Sequence, residues 1–354
     1  MEDGKLVNKK PLVALTLGDP AGVGPEITVK LLGGHWIHGV CRPLVIGDLC
    51  AVKRAMEQTG IRLRIHLTDD PAGGIYEDGT LNLMDQGCLT DANYPMGAVD
   101  SRCGDAAFCY VKKAVELALE KKVDANVTAP LNKESMNLAG HAFSGHTEIY
   151  AHYTKVKDYA MLLAYGGMRV AHISTHVSLR QACGLVKKER ILKVIDLSVQ
   201  TLKQLGIDRP RIAVAGLNPH CGEGGLFGTE ELEEIIPAVK EAAMRGLDVC
   251  GPVPPDTVFC KLKGGQYDLC ICMYHDQGHI PLKVVGFVYN EAEGKWDTVA
   301  GVNITLGLPI VRVSVDHGTA FDQAGLGTAN ERSLVNAINY AARLALQKKK
   351  QEKK

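Results

Sequence analysis

Residues 169–217 contain R-V-A-H-I-S-T (169–175), then K-E-R-I-L-K-V-I-D-L-S-V-Q-T-L-K-Q-L (188–205), then R-I-A-V-A-G-L (211–217). Two short apolar runs flank a longer segment whose apolar residues recur at helical spacing, which is the signature of a strand, a crossover helix and a second parallel strand. The same alternation extends outward in both directions. Upstream, the spacing predicts a strand at 13–17, a helix from Pro25 to about residue 32 with proline at its first position, a strand at 43–46, a helix at 105–121, and a strand at 125–128 closed by Ala129 and Pro130. Downstream it predicts an acidic-first helix at 230–245, matched to the helix dipole, strands at 269–274 and 310–315, and a last helix at 331–346. The lysine-rich residues 347–354 read as a frayed, solvated tail, and the polar stretch 289–298 as a surface excursion.

At 354 residues the chain is long enough for two α/β domains. Lys plus Arg number 40 and Asp plus Glu also 40, so no net field draws the chain to nucleic acid or to an anionic membrane. Residues 298–311 form the longest uncharged apolar-rich run, too short to span a bilayer. The N-terminal apolar stretch ends at once in Gly18-Asp19-Pro20, which reads as a strand rather than a secretory signal. The 11 cysteines include no C-x-x-C pair, so a reduced cytoplasm is the expected location.

Three histidines follow closely on predicted strands: His176 after 169–175, His220 after 211–217, and His275 after 269–274. In an open α/β sheet the carboxyl ends of strands form the ligand crevice, so imidazoles placed there can converge on one divalent metal and leave a position open. Asp276 and Glu223 are candidate carboxylates to orient the rings, and Asp256 a candidate extra ligand or substrate contact. Imidazole favours zinc, cobalt, manganese or iron over magnesium. Two chemistries stay open on this basis: hydrolysis by a metal-bound water, or hydride loss from a carbon whose hydroxyl the metal holds.

The loop 18–26, G-D-P-A-G-V-G-P-E, joins a strand to a helix and is read either as an anion cradle or as a tight turn. It lacks the ending of a P-loop, and no G-x-G-x-x-G follows any strand, so there is no classical Rossmann fingerprint. The segment 315–330, V-D-H-G-T-A-F-D-Q-A-G-L-G-T-A-N, resembles the loop with which isocitrate and isopropylmalate dehydrogenases hold the adenosine of their cofactor. That resemblance makes His317, Gly318, Thr319, Ala320, Asp322 and Asn330 cofactor candidates and favours hydride transfer. Arg312 lies inside an apolar strand, where burial demands an anionic partner. His146, Thr147, Lys133, Lys283 and Asn303 complete a polar set.

The ordered blocks L-T-L-G-D-P-A-G-V-G-P-E-I, V-T-A-P-L-N-K-E, G-H-T-E, S-T-H-V-S-L-R, L-N-P-H-C-G-E-G-G-L-F-G, G-P-V-P-P-D-T-V-F, Y-H-D-Q-G-H-I-P-L-K and V-N-I-T-L-G-L-P-I-V-R-V-S-V-D-H-G-T-A resemble the 4-hydroxythreonine-4-phosphate dehydrogenase (PdxA) family across almost the whole chain. The resemblance implies two α/β/α-layered domains of the isocitrate dehydrogenase type, expected at 1–130 plus 300–354 and at 131–299, with the active site in the interdomain cleft. It implies a homodimer, with His176, His220 and His275 as metal ligands and one of them supplied by the partner subunit. His146, Thr147, Lys283, Asn303 and Arg312 correspond to substrate contacts, and Lys283 and Asp276 are the catalytic candidates. The implied reaction uses NAD or NADP and a divalent metal (zinc, cobalt, manganese or magnesium) to oxidise a phosphorylated hydroxy acid, which then decarboxylates. G-P-V-P-P-D-T-V-F and H-D-Q-G-H-I-P-L-K-V-V-G-F look more like the D-threonate or D-erythronate 4-phosphate branch than the vitamin B6 branch, where pyridoxal phosphate biosynthesis uses 4-hydroxythreonine-4-phosphate. Relatives acting on cis-dihydrodiol carboxylates, and a metal hydrolase of another class, are the alternatives. The stretch 288–301 is expected to reshape the substrate side of the cleft.

Overall fold

The computed structural model describes residues 10–34, 36–291, 295–299 and 301–352. The N-terminal residues 1–9, on which part of the signal-peptide argument rests, lie outside that range, as do 353 and 354 of the lysine tail. The chain forms two compact units, Met1–Lys157 with Leu308–Lys354, and Asp158–Gly307. The sequence reading set its boundaries at 130/131 and 299/300 instead, placing Thr147 and Asn303 on the other side of each divide.

In the first unit, parallel strands run in the order Arg64–Leu67, Thr80–Asp85, Arg42–Gly47, Leu12–Thr16, Ala125–Thr128 and Arg312–Val315. Every residue of Leu12–Thr16, Ala125–Thr128 and Arg312–Val315 is buried. Because successive strand side chains point to opposite faces, complete burial means that both faces are covered, which defines an α/β/α layering. Helix Ser101–Leu119 supplies part of that cover. It starts where the Asp100 side chain accepts from the Arg102 and Cys103 amides, and buries Cys103, Ala107, Tyr110, Val111, Ala114 and Ala118 at three- and four-residue spacing.

The loop between Leu12–Thr16 and helix Gly24–Gly33 resolves the ambiguity in the sequence. A Cβ on Gly18 (φ 71°) would lie 2.2 Å from the Pro130 carbonyl oxygen, and one on Gly22 would lie 2.9 Å from Thr319 Cβ. The loop is buried and packed against other backbone, so it is a tight turn rather than an open anion cradle. The C-terminal lysines are also more ordered than expected. Helix Arg332–Gln351 continues through them, with Lys349 Nζ 2.6 Å from Asp124 Oδ2 and Lys348 Nζ donating to the Pro309 carbonyl.

The second unit orders its strands Val302–Leu306, Ala160–Tyr165, Met168–His172, Leu269–Cys272, Ile212–Ala215 and Val249–Val253. Here the purely parallel expectation fails, because Ala160–Tyr165 pairs antiparallel with both Met168–His172 and Val302–Leu306. The turn responsible is Gly166-Gly167, with Tyr165 paired to Met168 and Gly166 at φ 55°, a two-residue hairpin that glycine permits. Helix Lys188–Gln204 follows as predicted. The stretch read as a surface excursion contributes to a ribbon in which Phe287–Asn290 pairs antiparallel with Lys295–Val299. Residues 292–294 and 300 lie outside the described set.

Helix His275–Gly286 packs on its sheet through Gly278. A Cβ there would lie 2.5 Å from His172 Nε2 and 2.9 Å from Cys272 Sγ. Gly278→Ala is therefore expected to destabilise the protein by about 1–3 kcal/mol despite alanine's better helix propensity. An alanine variant with an unchanged urea midpoint would refute the close packing.

Candidate active site

In the first unit, strand Arg312–Val315 runs beside Ala125–Thr128, with Arg312 opposite Asn126 and Ser314 opposite Thr128. Arg312 is 2% exposed, donates from Nη2 to Thr128 Oγ1 at 3.0 Å, and has its guanidinium carbon 5.6 Å from the centroid of the Tyr150 ring. Burial pushes its pKa down to about 10, against the pull of Tyr150 and Glu148, so it stays cationic at neutral pH. His146 opens helix His146–Thr154, and its Nε2 is buried with no hydrogen-bond partner among the described residues. Burial, then the charges of Arg312 and Lys133, hold its pKa well below the ordinary histidine value. Thr147 is buried beside it. Lys133 opens helix Lys133–Leu138, which Asn132 caps by accepting from the Ser135 amide at 2.8 Å. A permanent cation, a lysine and an uncharged imidazole at a helix start form a local field suited to an anion with several oxygens.

In the second unit, His176 and His275 have ring centroids 5.7 Å apart. His275 Nδ1 lies 2.7 Å from Asp276 Oδ1, which leaves Nε2 as the electron-pair donor if Nδ1 carries the proton. His220 occupies the turn Pro219–Gly225, in which residues 220–224 all have positive φ. The carboxylate that organises this turn is Glu231. Glu231 is 1% exposed and its Oε1 accepts from the Leu217 and Asn218 amides at 2.7 Å each, whereas Glu223 is exposed. Asp256 is exposed in the first turn of helix Pro255–Lys263. Among the described residues, no three His, Cys, Asp or Glu side chains come together in a way that could hold a metal. One chain thus brings together His176 and His275 and leaves His220 on its own turn.

Two further imidazoles stand behind His275 that the sequence reading passed over. His279 stacks on His275 with centroids 3.6 Å apart and planes 11° apart, and His172 lies 4.7 Å beyond His279. His172 is fully buried and His279 is 6% exposed. Their only signal in the sequence was position: His172 closes strand Met168–His172, and His279 lies one helical turn after His275. Burial pushes their pKa values down to about 3 and about 4, so both are neutral in the folded protein. Each is depressed below its unfolded value, so on acidification the unfolded chain binds protons first. Stability is therefore lost as pH falls from about 6.5 towards 4, at ~1.4 kcal/mol per pH unit for each imidazole. Asp19, raised by burial to about 6, opposes this between about pH 6 and its unfolded value. Urea unfolding between pH 7 and 4.5 should show a shallower pH slope for a His172→Leu/His279→Leu double variant than for wild type. Equal slopes would remove the assignment.

The other predicted groups are distributed as follows. Lys283, in the last turn of His275–Gly286, has its Nζ 5.4 Å from the centroid of Phe287. Asn303, on Val302–Leu306, has a buried Oδ1 with no hydrogen-bond partner among the described residues. In the first unit, the loop after Arg312–Val315 carries His317, Gly318, Thr319, Ala320 (φ 45°) and Asp322. The Thr319 carbonyl accepts from the Val23 amide at 3.0 Å, and Glu26 accepts from the Gly325 amide, which pins the loop to helix Gly24–Gly33. Asn330 Oδ1 accepts from the Arg332 amide at 2.8 Å, at the start of the last helix.

Known proteins resemble this chain along nearly its whole length. A D-threonate 4-phosphate dehydrogenase from Cupriavidus necator is 44% identical over 95% of this chain and 97% of its own. A 4-hydroxythreonine-4-phosphate dehydrogenase from Desulforapulum autotrophicum is likewise 44% identical, over 95% and 96%. The crystal structure of a 4-hydroxythreonine-4-phosphate dehydrogenase from Klebsiella pneumoniae superposes with a TM-score of 0.82 at 43% identity, over 95% of this chain and 98% of that one. A two-unit α/β fold with these relatives defines an oxidoreductase, a dehydrogenase related to enzymes named for 4-phosphorylated substrates. The family model described as pyridoxal phosphate biosynthetic protein PdxA matches residues 39–341, and the chain belongs to that family.

Proposed function

We propose that this dehydrogenase oxidises D-threonate 4-phosphate or D-erythronate 4-phosphate with NAD or NADP, in the presence of a divalent metal, and that the product decarboxylates. The observation that carries this reading is the gathering of Lys133, His146 and buried Arg312 about the start of helix His146–Thr154, a field that rewards a phosphate. A phosphate ester offers these cations a charge of about −2 and three acceptor oxygens where a carboxylate offers −1 and two, which favours it over the cis-dihydrodiol carboxylate alternative. The donor set His176 and His275, the latter braced by Asp276, fits a divalent metal, with His220 as third ligand and one of the three supplied by a second copy of the chain in a homodimer.

When bound, the metal would polarise the substrate hydroxyl and carboxylate while nicotinamide accepts hydride. The rest falls to the chain's own side chains. Arg312, His146 and Thr147 hold the phosphate, and Asn303 contacts the substrate's polar groups. Lys283 moves the hydroxyl proton, and Asp276 keeps the His275 ring in one tautomer. His317, Gly318, Thr319, Ala320, Asp322 and Asn330 hold the nucleotide, on a loop fixed by Val23 and Glu26. All eleven cysteines are free, which fits a reducing cytoplasm.

The test is an absorbance assay for reduced nicotinamide with purified protein, manganese or zinc, NAD or NADP, and each phosphate ester separately. D-Threonate or D-erythronate 4-phosphate is expected to give the higher kcat/KM. A preference for 4-hydroxythreonine-4-phosphate would move the protein to the vitamin B6 reaction. Ester cleavage without any nicotinamide would make it a hydrolase.

A further inference from the structure

We infer that His279 is a positioning residue that fixes the ring plane of His275 for metal binding, an inference that rests on the proposed metal role of His275. His275 is held at two places, by a hydrogen bond on one ring nitrogen and by a stacked ring on its face. Asp276 engages Nδ1 at 2.7 Å, but its own side chain is 67% exposed, so solvent competes for that bond. A single bond to an exposed carboxylate leaves the ring free to rock about the Nδ1 to Oδ1 line. The His279 ring removes that motion by lying flat on the imidazole, with centroids 3.6 Å apart and planes at 11°. Its own pose is fixed from both sides: Nδ1 lies 3.0 Å from the His275 carbonyl oxygen, and the ring sits 4.7 Å from fully buried His172. The absence of a side chain at Gly278 allows this close approach, since a Cβ there would meet His172 Nε2. The stack thus runs from an immobile core imidazole to the proposed ligand, and it holds the ring that the exposed carboxylate alone cannot hold.

Two substitutions separate the ring from its hydrogen bond. His279→Asn keeps an amide donor near the Nδ1 position and deletes the ring, while His279→Phe keeps an aromatic face and deletes the donor. Cobalt(II) binding to the purified full-length protein is followed by calorimetry and by the visible absorption of the bound ion. Far-UV circular dichroism and melting without metal check that each variant is folded. The expected result is that His279→Asn weakens cobalt binding by about 10-fold or more and alters the cobalt spectrum, with His279→Phe remaining within about threefold of wild type. Should the asparagine variant fail to fold, His279→Gln, which also retains an amide, takes its place. Folded His279→Asn that binds cobalt as wild type does, or His279→Phe that loses as much as His279→Asn, overturns the stacking role. Wild-type protein that binds no cobalt overturns instead the metal reading on which the inference rests.

Discussion

Arg312→Met is expected to leave the melting temperature within a few degrees of wild type while reducing kcat/KM for a 4-phosphorylated substrate by about 10²–10³-fold. The two halves of this expectation come from the same burial. A 2% exposed guanidinium has been stripped of water, and its depressed pKa records the cost of that desolvation. Replacing a buried charge by an unbranched apolar side chain of similar length is often neutral for folding, and the losses here include the bond to Thr128 and the contact with Tyr150. Substrate binding reverses the balance. Hydrogen bonds to charged groups contribute about 1.5–3 kcal/mol each, and a guanidinium offers two in parallel to a phosphate, so their joint loss amounts to several kcal/mol. Arg312→Lys should recover only part of the loss, because an ammonium lacks the planar fork. Kinetics on the phosphate ester and on its dephosphorylated counterpart decide the matter: wild type should prefer the ester strongly, and Arg312→Met should not. A methionine variant that unfolds, yet shows no change in ester preference when measured at low temperature, would make Arg312 a structural residue.

Arg312 also shows what sequence can reveal. A charge inside V-R-V-S-V conflicts with the strand around it, and such a conflict marks a candidate site when the strand proves to be buried on both faces. The histidines at strand ends were legible for the same topological reason. His172 and His279 were not, because nothing local distinguishes an imidazole packed against a glycine from one exposed on a helix. Glu231 was likewise hidden. Its role depends on a loop thirteen residues upstream folding back onto it, which residue spacing does not encode. In the fold, periodicity located strands flanking long helices, such as the pair around Lys188–Gln204. It missed Ala160–Tyr165, whose continuous apolar run resembles a helix segment as much as a strand, and whose Gly166-Gly167 turn was the discriminating signal. The C-terminal lysines were misread because a charge run was judged by composition alone, whereas Lys349 has a specific carboxylate to reach.

His275→Ala is expected to abolish measurable metal binding and to lower kcat by about 10³-fold or more, with Asp276→Ala costing closer to 10-fold. The gap follows from where each side chain stands. His275 donates directly in the proposed site, and loss of metal removes several kcal/mol of charge stabilisation from the oxidation step. Asp276 acts through the imidazole, and a carboxylate with most of its side chain in solvent is partly replaced by water, which places its effect at the low end of the range for groups supporting a ligand. Chelation of wild type should reproduce the alanine phenotype, and added metal should restore the chelated wild type but not His275→Ala. The same pair of measurements tests the sharing of ligands between copies. Since one chain brings His176 and His275 together without His220, a mixture of His275→Ala and His220→Ala chains can reassemble an intact site only if the ligands come from different copies. Mixed dimers formed by dissociation and reassociation should regain activity towards about one quarter of wild type, the share expected when half the assemblies are heterodimers with one intact site of two. Activity that stays at the level of the separate variants would place all three ligands within a single chain.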